Sequence, residues 1–178
     1  MERRNFLGLM LVAGPGAFAL KAQTAQGSVR VLAQKNGKKA EEVGHVTKTD
    51  AEWKQILTPE QYAVTRQQGT EAQFSSPLLN IHSAGIFECI CCSLSLFSSK
   101  TKFDSHTGWP SFWAPISESH INKRIDNSLS ETRTEVKCAR CVAHLGHVFD
   151  DGPKPTGLRY CMNGVAMKFV KQEVKPES

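Results

Sequence analysis

Net charge is missing from the part of this chain that would need it to hold a polyanion. The 178 residues carry a formal +5, but residues 1–48 hold eight Lys or Arg against three Asp or Glu, and residues 49–178 hold fourteen of each. A nucleic-acid binder concentrates positive charge on its folded domain, so the neutral C-terminal part excludes that class of partner. A long apolar run is missing too. Leu9 to Leu20 is short and broken by glycines and Pro15, a poor membrane-spanning helix. No internal repeat appears except a doubled Cys-x-x-Cys. What remains is long enough for one ordinary domain with a core of its own, plus a tail.

The N-terminus is a leader. Glu2-Arg3-Arg4-Asn5-Phe6-Leu7-Gly8, the apolar run and the small residues Ala17-Phe18-Ala19 form a charged region, an apolar region and a cleavage site, the pattern of an export signal. The Arg-Arg-x-Phe-Leu order resembles a twin-arginine signal, read by a receptor for folded cargo. This predicts a signal over 1–19, a periplasmic or otherwise exported protein, and no stable membrane insertion once the signal is removed. Residues 20–48, rich in Lys, Gln, Gly and Glu with little apolar periodicity beyond Val29 to Leu32, read as a flexible linker. A domain over 49–170 and a loose charged tail over 171–178 complete the chain.

Capping boxes at Thr49/Glu52 and Thr58/Gln61, with Pro59 at the first helical position, predict two short helices over 50–57 and 59–67, the second ended by Gly69. Strands are expected at 85–89, 94–97, 133–137, 147–149, 158–162 and 165–170, the last with Val165, Met167 and Phe169 inward.

Six cysteines punctuate these strands: Cys89, Cys91, Cys92, Cys138, Cys141 and Cys161. The pairs 89/92 and 138/141, 45 residues apart, each offer two thiolates from a tight turn, and two such turns complete a tetrahedral four-sulfur metal site. In an exported protein the alternative is disulfides, which the vicinal pair Cys91-Cys92 fits poorly. Export in the folded state would let one structural zinc load before the chain meets an oxidising compartment. His144 and His147 as metal ligands would leave two thiolates idle.

Leu158 to Asn163 reads as a strand, which puts Arg159, Cys161 and Asn163 on one face and Tyr160 and Met162 on the other. A guanidinium beside a thiol favours the nucleophilic thiolate. Cys161 is therefore a candidate active-site cysteine, with His144, His147 and Asp151 close by in sequence.

Lys102 to Phe112 (KFDSHTGWPSF), His144 to Phe149 (HLGHVF) and Arg159 to Asn163 (RYCMN), in that order, resemble the B-type methionine-R-sulfoxide reductases. Tyr62 to Arg66 and Gly69 to Glu71 fit the same family's entry segment, and the resemblance runs from about Thr49 to Val170. It implies a mainly β fold of two antiparallel sheets with short N-terminal helices and a four-cysteine zinc site away from the chemistry. It also implies reduction of the R epimer of protein- or peptide-bound methionine sulfoxide through a sulfenic acid on Cys161. In that scheme His147 is the acid, ordered by His144, Asn163 and Asp151. Arg159 keeps Cys161 ionised, and Trp109 walls the substrate methyl. Many members carry a second, resolving cysteine where this chain has Thr107. Regeneration would then fall to an external thiol, a small molecule or a thioredoxin-like protein, Cys91 being the one spare thiol. His106, Ser93 and Val142 also depart from the residues usual at their positions. Two other readings fit parts of the pattern: a non-enzymatic zinc-ribbon module, which would leave Cys161 idle, and a thiol hydrolase using Cys161 with His147 as base.

Overall fold

The computed structural model describes residues 42–129 and 131–172. The expected signal, all of the expected linker before residue 42 and the tail from residue 173 lie outside the described residues. Residues 42–48 have no regular structure, yet Val43 and Val46 pack against the core and the Val46 N–H donates to the Arg140 carbonyl at 2.8 Å. The packed chain thus starts ahead of Thr49.

Both helices form where their capping boxes place them. In α1 (Asp50–Ile56) the Thr49 hydroxyl accepts from the Glu52 N–H, and the Glu52 carboxylate accepts from the Thr49 N–H at 2.7 Å. In α2 (Pro59–Gln67) Thr58 and Gln61 do the same, behind Pro59. The left-handed residue that stops α2 is Gln68 (φ 60°), one earlier than the expected Gly69, whose N–H closes the end on the Ala63 carbonyl at 3.0 Å. Trp53, Tyr62 and Val64 are the buried face.

Nine strands follow: β1 (Gly85–Cys89), β2 (Ser95–Ser98), β3 (Lys102–Phe103), β4 (Ser111–Phe112), β5 (Ile121–Asp126), β6 (Arg133–Cys138), β7 (His144–Phe149), β8 (Arg159–Met162) and β9 (Met167–Lys171). They form two antiparallel sheets, a small one in the order β2-β1-β9 and a large one in the order β3-β4-β8-β7-β6-β5. The fold is mainly β with two short helices, as expected. Three strands escape the pattern reading. β3 and β4 are two residues long, and β5 lies at the sheet edge with Asn122 to Ile125 all exposed, so neither length nor alternation marks them. β9 begins later than expected because Gly164–Ala166 turns as a 3₁₀ helix, which leaves Val165 outside the strand.

The core lies between the sheets. Phe87 and Phe97 come from the small sheet, Phe112 and Tyr160 from the large one, and all four have no exposed surface. Phe97 stacks on Phe112 with centroids 4.5 Å apart, and Phe87 meets Phe112 edge-on at 4.9 Å. Burial of each such ring contributes on the order of 2–3 kcal/mol, which fixes β4 and β8 side by side. Among the described residues no helix is long and apolar enough to cross a membrane.

Candidate active site

One rung of the large sheet runs through all six strands. Arg124, Glu135, His147, Cys161, Ser111 and Phe103 stand opposite one another in turn from β5 to β3. Directly opposed residues share a face, so the thiol, the imidazole and a carboxylate line up on the side away from the core, while Tyr160 and Met162 point inward. Residues two positions away add Asp126, Arg133, Phe149 and Arg159 to the same face.

His144 and His147 would face opposite ways on a regular strand, being three residues apart. A bulge prevents this. Val136 of β6 pairs with Gly146, and the next residue, Lys137, pairs with His144, so Leu145 is the extra residue on β7. The two rings end 5.5 Å apart, edge to face. Gly146 makes the second adjustment. Its φ of +154° and its place against β8, where a Cβ would collide with the Cys161 carbonyl oxygen, leave room for no side chain. That close approach sets His147 opposite Cys161.

Each imidazole is held by an acid. His147 Nε2 donates to Asp126 Oδ2 at 2.7 Å, and His144 Nδ1 donates to Glu135 Oε1 at 2.7 Å. Ser128, whose N–H donates to Asp126 at 2.9 Å, is the main cause that holds the Asp126 carboxyl well below the usual range, with His147 and Arg133 adding to it. His144 is 3% exposed, and burial pushes its imidazole toward the neutral form more than Glu135 pulls it the other way.

Arg159 donates two bonds of 2.8 Å to Asp151, which is the main reason its guanidinium holds its proton more tightly than usual. The guanidinium lies 4.3 Å over the Phe149 ring. Asp151, expected to order His147, is bonded to Arg159; the carboxylate on His147 is Asp126. Asn163 lies one residue past β8 but lines the same cavity as Cys161. It accepts from the Glu71 N–H at 3.0 Å and donates to the Leu145 carbonyl at 3.1 Å. Glu71 in turn accepts from the N–H groups of Gly164 and Val165. The cavity, about 110 Å³, is bounded by Trp109, Thr70, Arg133, His147, Phe149 and Cys161. Trp109 is pinned by its indole N–H on the Glu71 carbonyl at 3.2 Å. A larger cavity of about 310 Å³ beside Glu71 and Ser76 is lined by no cysteine or histidine.

The other cysteines gather elsewhere. The Sγ atoms of Cys89, Cys92, Cys138 and Cys141 all lie within 4.8 Å of one another, with Cys89 to Cys141 at 3.6 Å and Cys92 to Cys138 at 3.5 Å. These separations are far longer than a disulfide bond of about 2.05 Å and close to the edge of roughly 3.8 Å that a tetrahedron of ~2.3 Å metal–sulfur bonds requires. The two turns have the same hydrogen bonds. Ser93 N–H donates to the Cys89 carbonyl and Val142 N–H to the Cys138 carbonyl; Cys89 N–H donates to Leu94 and Cys138 N–H to Ala143. The four thiols could hold a metal ion, and no two of them can ionise independently: bonds among the sulfurs push Cys92 and Cys138 down and Cys89 and Cys141 up. A divalent cation supplies the charge that lets all four become thiolates. Cys91 is buried beside this cluster, with its side chain toward Cys141 and Cys89, and does not line the Cys161 cavity.

Residues 57–171, well over half the chain, match the model of the SelR domain. The chain belongs to the SelR family. It is 52% identical over 124 residues to a protein of Hahella chejuensis named peptide methionine sulfoxide reductase MsrB, covering 70% of this chain and 89% of that one. It is 55% identical over 124 residues to one of the same name from Pseudomonas putida, covering 70% and 93%. A Methanosarcina mazei protein so named is 52% identical over 128 residues, covering 72% and 91%. Among solved structures the Mis18 "Yippee-like" domain superposes at TM-score 0.42 and 16% identity, covering 52% of this chain and 100% of that one, too slight a likeness to bear on the site.

The SelR domain draws on three acids that were not among the expected site residues: Asp126, Glu135 and Glu71, the last named only within the entry segment. The signal for Glu135 was weak but present, since β6 alternates and Glu135 is its one acid. Asp126 serves His147, 21 residues away, and the Glu71 carboxylate serves the N–H groups of Gly164 and Val165, 93 and 94 residues away, so neither contact has a local signal.

Proposed function

We propose that this chain uses Cys161 to reduce the R epimer of methionine sulfoxide in peptides and proteins. It is an oxidoreductase of the peptide-methionine (R)-S-oxide reductase class. The observation that carries the residue assignment is the pairing of Cys161 with His147 across β7 and β8 in a cavity walled by Trp109, within a SelR domain.

The Cys161 thiolate attacks the sulfoxide sulfur. The oxygen must be protonated as the S–O bond weakens, and His147 is the acid. With its Nε2–H held on Asp126, the ring serves as acid in its imidazolium form, giving the sulfoxide oxygen the proton on Nδ1. His144, fixed by Glu135, braces the His147 ring, and Asn163 orders the cavity wall. Arg159, positioned by Asp151, sets positive charge near the thiolate, and Trp109 packs against the substrate methyl. Methionine leaves, and its oxygen stays on Cys161 as a sulfenic acid. One external thiol then forms a mixed disulfide with loss of water, and a second thiol releases Cys161. A thioredoxin-like protein or a small thiol fits this role, Thr107 and the distant Cys91 offering no resolving thiol inside the chain.

Cys89, Cys92, Cys138 and Cys141 would hold one structural zinc, which when bound supplies folding energy. Arg3-Arg4 and the apolar run after them support export by the twin-arginine route, so the substrates are oxidised exported proteins. A reporter that must fold before export, fused behind residues 1–30, tests that route through its loss on Arg3→Lys with Arg4→Lys.

The reductase reading is tested with separated epimers of a methionine sulfoxide peptide and dithiothreitol. The R epimer is consumed; Cys161→Ser abolishes turnover with metal content unchanged; His147→Ala slows it by roughly 10²- to 10⁴-fold. Equal turnover of both epimers, or an active Cys161→Ser protein, would sink the assignment. Thr107→Cys should give a disulfide to Cys161 on turnover, absent from the wild type.

A further inference from the structure

Three hydroxyls stand in line on Cys161. Thr107 Oγ1 lies 3.7 Å from Cys161 Sγ, Ser105 Oγ 2.8 Å from Thr107 Oγ1, and Ser111 Oγ 2.7 Å from Ser105 Oγ. The far end is tied down, since Ser111 Oγ is 3.1 Å from the Trp109 carbonyl oxygen. Ser111 is 1% exposed and is the register partner of Cys161 across β4 and β8. Among the described residues no hydrogen bond joins the two directly; their connection runs through Ser105 and Thr107.

Each hydroxyl has one proton to give, so the chain has two complete polarities. A carbonyl can only accept. With Cys161 as a thiol, Ser111 donates to Trp109, Ser105 to Ser111, Thr107 to Ser105 and the S–H to Thr107. A thiolate, or the anionic oxygen of a sulfenate, can only accept. Turning the three hydroxyls then lets Thr107 donate to Cys161, Ser105 to Thr107 and Ser111 to Ser105, with the bond to Trp109 given up. The proton released on ionisation goes to water, and no hydroxyl loses its own.

We propose that Ser111, Ser105 and Thr107 form a reversible hydrogen-bond chain that follows the charge on Cys161, Thr107 donating to the thiolate and the sulfenate while Ser105 and Ser111 act as positioning residues through it. This rests on the reading of Cys161 as the nucleophile. It assigns a task to the position at which a second cysteine is absent: a hydroxyl there supports the charged sulfur that it cannot resolve. Linked hydroxyls polarise one another, so the far member should be felt at the sulfur.

The test is a double-mutant cycle read by the rate at which iodoacetamide alkylates Cys161 at pH 7, located by peptide mass spectrometry, in full-length protein with its metal. Losing the donor lowers the thiolate fraction more than it sharpens the remaining thiolate. Thr107→Val should slow alkylation about 10-fold, as expected for a hydrogen bond to a charged group, and Thr107→Ser should restore it to within about twofold. Ser111→Ala should slow it by about 1.5- to 2-fold in the wild-type background and not at all beside Thr107→Val. Turnover of the R epimer should fall in kcat with KM unchanged. Equal slowing by Ser111→Ala in both backgrounds, or none in either, overturns the chain. Ser105→Ala carries the same expectation and serves if Ser111→Ala does not fold. A wild-type protein that alkylates as described but reduces no sulfoxide would refute the reductase reading and leave the chain standing.

Discussion

Val142 and Ser93 hold their backbones in the left-handed region, at φ 59° and 57°, where each metal turn bends back on its first cysteine. For a β-branched residue that shape is strained by about 1–2 kcal/mol, and Val142 has no compensating burial, being 53% exposed. Val142→Gly should therefore raise stability by about 1 kcal/mol after the extra chain entropy of glycine is counted, read as a higher urea midpoint at constant metal content. His144 makes a different expectation. Its unfolded value is near 6.5, and burial holds the folded one lower. The unfolded chain thus takes up the proton first as pH falls, so this contribution is intact above about 6.5 and is lost as pH drops through the folded value. The urea midpoint should fall between pH 7.5 and 5.5, and fall less in His144→Gln; an equal fall in both proteins would contradict it. Single residues were legible in the sequence where the chemistry is local. Cys161, His147 and the four clustered cysteines announce themselves by type and spacing. Asp126 does not, because its bond to His147 exists only once β5 and β7 flank β6.

At the scale of elements, the β7 bulge and Gly146 decide whether the histidines meet Cys161. Gly146→Ala would force a Cβ into the backbone of β8 and demand a φ that L residues rarely adopt, at a combined cost of roughly 2–4 kcal/mol. The expected outcome is lower stability with a disproportionate loss of turnover, as β7 backs away from Cys161, and an unchanged content of any metal that the four clustered cysteines hold. Turnover that tracks the folded fraction alone would show that the spacing of β7 and β8 is not critical. Both helices were readable from their caps to within a residue or two, since capping chemistry is set by four neighbouring side chains. Strands β1, β2, β6 and β8 were readable to within a residue and β7 only over its second half, while β4, although Phe112 lies in the core, is too short to show a pattern. A bulge was not readable, because the extra residue shows only against a partner strand, and the edge strand β5 was hidden by its exposed face.

For the whole molecule, the four cysteines are a clamp. Cys89 ends β1 and Cys92 lies in the turn from it to β2 of the small sheet, Cys138 ends β6 and Cys141 lies in the turn from it to β7 of the large one, and Arg66 of α2 donates to the Cys141 carbonyl at 2.9 Å. A metal there ties both sheets and a helix at one point. Purified protein should carry one zinc per chain. Cys138→Ser or a strong chelator should remove it and destabilise the fold, structural zinc binding being worth roughly 10 kcal/mol or more in small modules; hydrogen exchange should show the amides of β1 and β2 losing protection. Folded, active protein free of metal would refute this. The doubled Cys-x-x-Cys was plain in the sequence, but that it joins two sheets rather than staples one was not, since it depends on where 45 intervening residues fold back. The size of the Cys161 cavity reaches beyond this molecule. Cys161 is only partly exposed, in a small cavity of about 110 Å³ between Trp109, His147 and Phe149, so a substrate sulfur has to enter that cavity to meet it. An oxidised methionine must therefore project from its own protein to be reached. Under the proposed function, which sites are reduced, and how fast, is then set by how often each substrate protein opens locally, so that the loosest oxidised segments are served first and a well-packed one waits on its host to unfold.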